Sequence, residues 1–141
     1  MDIDKKVWEV LCSEEEINQR ITEMGKQISE EYKGKNLYVI SLLKGSFVFT
    51  ADLVRKISIP VKIGFMTTSS YGHSDTSSGK VQMKADITDD LEEYDVMVVD
   101  DIVDSGITMN FVLEHLKTKN PKSLASCVLL DTPSRRQIYT E

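Results

Sequence analysis

An α/β domain with a mainly parallel sheet flanked by helices is the fold class this sequence predicts, and three observations predict it. Apolar runs of strand length alternate with stretches of helical period along the chain. The runs at 37–43 and 95–101 are continuous rather than alternating, as strands buried on both faces require. At 141 residues the chain fits a single domain, 1–141, with no internal repeat, low-complexity tract or linker.

The elements follow in order. Ser13 and Glu16 form an S-x-x-E capping box. Ile17, Ile21, Met24, Ile28 and Tyr32 then fall at helical spacing, predicting a helix over about 14–33 that stops at Gly34. LYVISLL (37–43) is the first strand and Lys44-Gly45 ends it. SFVFTADLVRKI (46–57) is the next helix, with Phe47, Ala51 and Val54 as its stripe. Pro60 breaks the chain before the strand VKIGFMTTS (61–69). SYGHSDTSSGK (70–80) has little to bury and reads as a mobile loop, with VQMKADIT (81–88) as its return strand. DVMVVDD (95–101) is the central strand. Met109, Val112, Leu113 and Leu116 mark a helix over about 106–118, which stops at Asn120-Pro121. SLASCVLLD (123–131) is the last strand.

Composition excludes several classes of function. With 40% hydrophobic and 28% charged residues, the chain is that of an ordinary soluble globular protein. A net charge of −6 argues against nucleic acid or an anionic membrane as partner, yet is compatible with a small phosphorylated ligand in a local pocket. Cys12 and Cys127 lie far apart and match no metal or redox spacing, so both read as buried thiols of a reducing cytosol. The N-terminal MDIDKKVWEVLCSEEE holds no long apolar run, which makes a cytoplasmic location the expectation. His73 and His115 read as solvated side chains.

Chemistry concentrates at the carboxyl ends of two strands, where parallel α/β sheets bind ligands. One such place is Lys44-Gly45. The other is the end of VMVVDDIVDSGIT (96–108). There Asp100-Asp101 pair two carboxylates, suited to a divalent cation or to the hydroxyls of a ribose. Asp104 follows on the loop. Ser105, Gly106, Ile107 and Thr108 then enter a helix, with amides and hydroxyls suited to a phosphate. Receiver domains and Walker B strands also carry paired acids. However, this pair lies two-thirds along the chain, and no G-x-x-x-x-G-K-[ST] is present.

On these residues the chain resembles the type I phosphoribosyltransferases, and within them the hypoxanthine branch, from about residue 5 to Arg136. VVDDIVDSGIT looks like the family's 5-phosphoribosyl-1-diphosphate signature. SLLKGSFVFTADLVR resembles its diphosphate-binding loop and following helix. SSYG resembles the start of its catalytic lid, and LLDTPSRR a segment near the purine site. The resemblance implies that Asp100 and Asp101 bind the ribose hydroxyls with Mg²⁺ on or near them. It implies Asp104 as acid or base at purine N7, and Ser105, Gly106, Ile107 and Thr108 as holders of the 5′-phosphate. Lys44 and Gly45 would meet the diphosphate through backbone amides exposed by an unusual peptide geometry, with Ser70 and Tyr71 closing over the site. The implied reaction is phosphoribosyl transfer to hypoxanthine or guanine in purine salvage, by a homo-oligomer (dimer or tetramer).

Two departures qualify that expectation. Thr132 stands where the family usually has a lysine that reads the purine carbonyl. The chain also ends at Glu141, before the family's base-stacking aromatic, second Mg²⁺-binding aspartate and diphosphate-binding arginine. The C-terminal part of the base-binding hood is thus missing from this sequence. Strong donor binding with weak base transfer is the expectation, and a non-catalytic phosphoribosyl-diphosphate or nucleotide-binding module is the alternative.

Overall fold

A computed structural model describes residues 13–70, 81–103 and 106–131, with the backbone alone at Ser70, Ile102, Val103, Leu130 and Asp131. Its elements are α1 (Glu14–Glu31), β1 (Leu37–Leu43), α2 (Phe47–Val54), β2 (Val61–Ser70), β3 (Val81–Ala85), β4 (Asp95–Val103), α3 (Ile107–Lys117) and β5 (Ser123–Asp131). The expected alternation is present. The sheet runs β3-β2-β1-β4-β5, parallel throughout except for the antiparallel β2–β3 pair at one edge.

Each helix forms for a local reason and buries one face. Ser13 accepts from the Glu16 amide while the Glu16 side chain accepts from the Ser13 amide, so α1 starts with the expected reciprocal cap. Ile21 and Ile28 of α1 join Phe49 and Leu53 of α2 against Leu37, Val39, Met97, Val99 and Cys127. On the opposite face Met109, Val112 and Leu116 of α3 pack on Tyr38, Ile40, Leu42, Met66, Val96 and Val98. Strands β1 and β4 are thereby buried on both sides, which explains their unbroken apolar runs. Each such α3 side chain contributes roughly 1.5–3 kcal/mol by leaving water. Cys127 lies in this interior, where burial pushes its thiol up to about 11. Cys12 and His73 lie outside the described residues.

Several boundaries and faces differ from expectation, among them the end of α2 at Val54 and of β2 at Ser70. The buried stripe of α2 is Phe49, Thr50 and Leu53, whereas Phe47 is 59% exposed. The reason is polar: Ser46 and Thr50 face the sheet and their hydroxyls both bond Ser41, so the inward stripe runs 46, 49, 50, 53. β3 ends at Ala85, three residues early, because the Asp86 carboxylate accepts from the Ile87 amide (2.7 Å) and turns Ile87 into the core. β4 runs on to Val103, paired with β5 at Val103↔Asp131. His115 is no bare surface residue, since its Nε2 lies 2.7 Å from Asp86 Oδ2, with Lys119 Nζ 3.7 Å from the same oxygen. Burial pushes Asp86 up, but the His115 bond, the Ile87 amide and the charges of His115 and Lys119 hold it below the ordinary carboxylate range.

The amino end of the sheet is pinned by a polar and aromatic cluster. Buried Tyr38 donates to Asp89 Oδ2 and meets the Tyr94 ring edge-on at 5.1 Å, while Lys62 Nζ sits 5.5 Å over the Tyr38 ring. Burial and the Asp89 contact both raise the Tyr38 phenol pKa. Gly64 of β2 makes room for this ring: a Cβ there would lie 2.7 Å from Tyr38 Oη and 2.8 Å from Ile87 Cδ1. Gly64→Ala should therefore destabilise the fold by about 1–3 kcal/mol, the usual range for overpacking a core. Urea denaturation checks it, and a loss below about half a kcal/mol would show that Tyr38 yields freely.

Candidate active site

Strand order places the site. From β1 the chain passes through α2 to β2 on one side, and from β4 through α3 to β5 on the other. Helices α2 and α3 consequently lie on opposite faces, as two crossovers of one hand running in opposite directions require. The order reverses between β1 and β4, so a crevice opens beyond their carboxyl ends. Lys44 and Gly45 leave β1 into it, and Asp100 and Asp101 lie near the carboxyl end of β4.

The two loops come together in space. A Cβ built on Gly45 would lie 3.6 Å from both carboxylate oxygens of Asp101, so only backbone separates the turn from that acid. The Leu43–Lys44 peptide is cis, the unusual geometry expected at this turn. Phe47 N donates to Lys44 O (3.2 Å) and Thr50 N to Ser46 O (2.8 Å), closing a short connection into α2. Lys44 and Gly45 are exposed, and Ser46 is fully buried beneath them.

The acidic pair is electrostatically distinctive. The Asp101 amide donates to Asp100 Oδ1 (2.9 Å), which fixes the first carboxylate against its own strand. Burial pushes Asp100 up to about 7, opposed by that amide and reinforced by the neighbouring Asp101 charge. Among the described residues, no lysine, arginine or histidine forms an ion pair with either acid. Those residues hold no cluster of three or more metal-ligating side chains. Two adjacent carboxylates nevertheless suit Mg²⁺, which commonly takes one or two carboxylates and fills its remaining positions with water and substrate phosphate.

Helix α3 supplies the third part. Gly106 precedes it as its N-cap at φ +85°, a left-handed conformation that glycine adopts without strain. Its carbonyl accepts from Asn110 N (3.0 Å). Ile107 and Thr108, both half-buried, form the first turn, where backbone amides and the helix dipole favour an anion. Asp104, Ser105, Tyr71 and Thr132 lie outside the described residues, and Ser70 is described only as the backbone end of β2. The structure thus brings Lys44, Gly45, Asp100 and Asp101 to one crevice, with Gly106, Ile107 and Thr108 just past the end of β4.

Sequence reasoning passed over Ser41, Ser46 and Thr50. Their hydroxyls form a buried network under the Lys44–Gly45 turn, with Ser41 Oγ 2.8 Å from both Ser46 Oγ and Thr50 Oγ1. The available signal was Ser41 itself, a lone polar residue inside the run LYVISLL.

Comparison with known proteins agrees with this architecture. The phosphoribosyl transferase domain family matches residues 8–137. Hypoxanthine phosphoribosyltransferase of Salmonella typhimurium is 46% identical over 136 residues, covering 95% of this chain and 76% of that protein. Hypoxanthine-guanine phosphoribosyltransferase of Dictyostelium discoideum is 46% identical over 126 residues, 86% of this chain and 70% of that one. Among solved structures, a hypoxanthine-guanine phosphoribosyltransferase from Bacillus anthracis superposes with a TM-score of 0.88 at 41% identity, covering 94% of this chain and 78% of its own. Matched by a family model along most of its length and by relatives this similar over most of theirs, the chain belongs to the phosphoribosyl transferase domain family, in its hypoxanthine phosphoribosyltransferase group.

Proposed function

We propose that this chain is a purine-salvage enzyme that transfers the phosphoribosyl group of 5-phosphoribosyl-1-diphosphate to hypoxanthine or guanine, giving IMP or GMP and diphosphate. The observation that carries the reading is the approach of the Lys44–Gly45 turn to the Asp101 carboxylate at the strand-order reversal. A sugar phosphate laid across that crevice spans three kinds of partner. Its 5′-phosphate meets the start of α3 at Ser105, Gly106, Ile107 and Thr108, its hydroxyls meet Asp100 and Asp101, and its diphosphate meets the amides of Lys44 and Gly45.

In the transfer the bond from C1 to the diphosphate oxygen breaks, and the electron pair leaves with the diphosphate. A purine nitrogen bonds to C1 as positive charge develops on the ribose ring, and the proton the base gives up at N7 passes to Asp104. The carboxylates of Asp100 and Asp101 face that charge, and Asp104 is the acid–base group at purine N7. Ser70 and Tyr71 would exclude water that otherwise captures the sugar cation. Mg²⁺ held on Asp100 and Asp101 would neutralise part of the charge on the departing diphosphate. Thr132 would offer the purine carbonyl a neutral hydroxyl. A dimer or tetramer and a cytoplasmic location belong to the same reading. Exposed Phe47, Val48, Ile63 and Phe65 are apolar side chains available for self-association. No described helix is long and apolar enough to cross a membrane.

Three measurements test the assignment. Asp100→Asn combined with Asp101→Asn should weaken Mg²⁺-dependent binding of the donor at least about tenfold in calorimetry; unchanged affinity would remove the pair from the site. Asp104→Asn should lower kcat about 10²-fold with donor affinity nearly constant; equal losses in both would mark it as a binding residue. The third test uses the Asp100 carboxyl, whose folded pKa of about 7 lies above the ordinary 3.8. The folded chain then holds an extra proton between those values, so metal-free stability should fall as pH rises through that window. Asp100→Asn should flatten the slope, and Mg²⁺ should stabilise the chain more at the top of the window than at the bottom. Superimposable pH profiles of parent and variant would contradict it.

A further inference from the structure

We propose that Ser41, Ser46 and Thr50 form a one-directional hydroxyl relay that positions the Lys44–Gly45 turn for the donor's diphosphate, an inference that rests on the transfer reading above. The direction follows from proton counting. Ser46 Oγ donates to the Leu42 carbonyl, and a hydroxyl has one proton to give. Ser41, whose Oγ lies 2.8 Å from Ser46 Oγ, is therefore the donor of that pair. With its own proton committed, Ser41 must accept from Thr50 across the remaining 2.8 Å contact. The chain reads Thr50 to Ser41 to Ser46 to Leu42 carbonyl, and it ends two residues before Lys44.

Placement ties the relay to the turn. All three residues are buried, Ser41 and Ser46 completely and Thr50 at 3% exposure, so no water competes for these bonds. Ser41 lies within β1, Ser46 closes the turn and Thr50 sits one helical turn into α2, so the relay links strand, turn and helix. Ser46 is the N-cap residue of α2, yet its hydroxyl makes no capping bond. An N-cap serine ordinarily accepts from the first turn of its helix. Here that hydroxyl is turned back into the sheet, so Ser46 does not cap the first turn of α2. The consequence is a turn whose backbone is fixed from below and open above, facing Asp101 at 3.6 Å from the Gly45 Cβ direction. Ser41, Ser46 and Thr50 are positioning residues, since none of them meets the donor.

Two ligands separate this role from a purely structural one. Phosphoribosyl diphosphate carries the diphosphate, whereas IMP shares its ribose 5-phosphate but has no diphosphate. Calorimetric affinities for both, with Mg²⁺, would be compared in Ser46→Ala, Ser41→Ala, Thr50→Val and Thr50→Ser, all well below their melting midpoints. Ser46→Ala should weaken the donor about tenfold and IMP less than about twofold. Thr50→Val, at the far end, should weaken the donor about threefold, and Thr50→Ser should retain parental affinity because it keeps the hydroxyl. Should Ser46→Ala not fold, Ser41→Ala and Thr50→Val leave the Ser46 bond to Leu42 in place and carry the same comparison. Equal losses for both ligands, or lower melting midpoints with unchanged donor affinity, would overturn the relay while leaving the transfer reading intact. A parent chain that binds neither ligand would overturn the transfer reading and the relay together.

Discussion

Parallel pairing of β1 with β4 at the centre of the sheet is the constraint on which the remaining architecture depends. It joins strands far apart in sequence, in register from Leu37↔Asp95 to Ser41↔Val99. Because neighbouring crossovers then run outward in opposite directions, α2 and α3 must take opposite faces, and both loops must open on the same end. Nothing else in the chain would place the turn after β1 beside the acids of β4. The pairing in turn requires both strands to be apolar on both faces, so helices must cover each side. The two separate hydrophobic clusters are the outcome.

The two ends of the sheet are treated in opposite ways. At the amino end, polar groups find protein partners: Tyr38 with Asp89, Ser123 Oγ with buried Asp95 (2.7 Å), and Asp95 N with Asn36 O (2.9 Å). At the carboxyl end, Asp100 is pushed up by burial and by Asp101, with no ion pair to either acid among the described residues. Hydrogen-bonded polar groups fix the amino end, while the perturbed carboxyl of Asp100 sits at the other, and such perturbation tends to coincide with function.

Elements carried by apolar period were legible in the sequence, and elements carried by polar contacts were not. The runs at β1 and β4 and the α1 and α3 stripes state their own burial, because each side chain's preference for the interior is local information. The Asp100–Asp101 pair and Gly106 were singled out by the string 96–108 as a whole, since paired acids after an apolar run also occur in receiver domains and Walker B strands. Helix α2 was misoriented because inward-facing Ser46 and Thr50 count as surface residues until their partner Ser41 is seen. Likewise, Asp86 ended β3 early and captured His115 twenty-nine residues away, a contact that no periodicity encodes. Distance in sequence, rather than weakness of interaction, hid these features.

The antiparallel edge strand β3 bears on behaviour in a crowded solution. An open strand edge presents unpaired amides and carbonyls that can recruit another chain into a continuing sheet. β3 is only five residues long, its register against β2 shifts between Thr67 and Thr68, and charged Lys84 lies exposed along it. A short, irregular, charged border is a poor template for strand addition, because an incoming segment gains few aligned bonds and must desolvate a cation. The irregularity that interrupts β2–β3 pairing thus also guards this margin of the sheet against edge-to-edge aggregation.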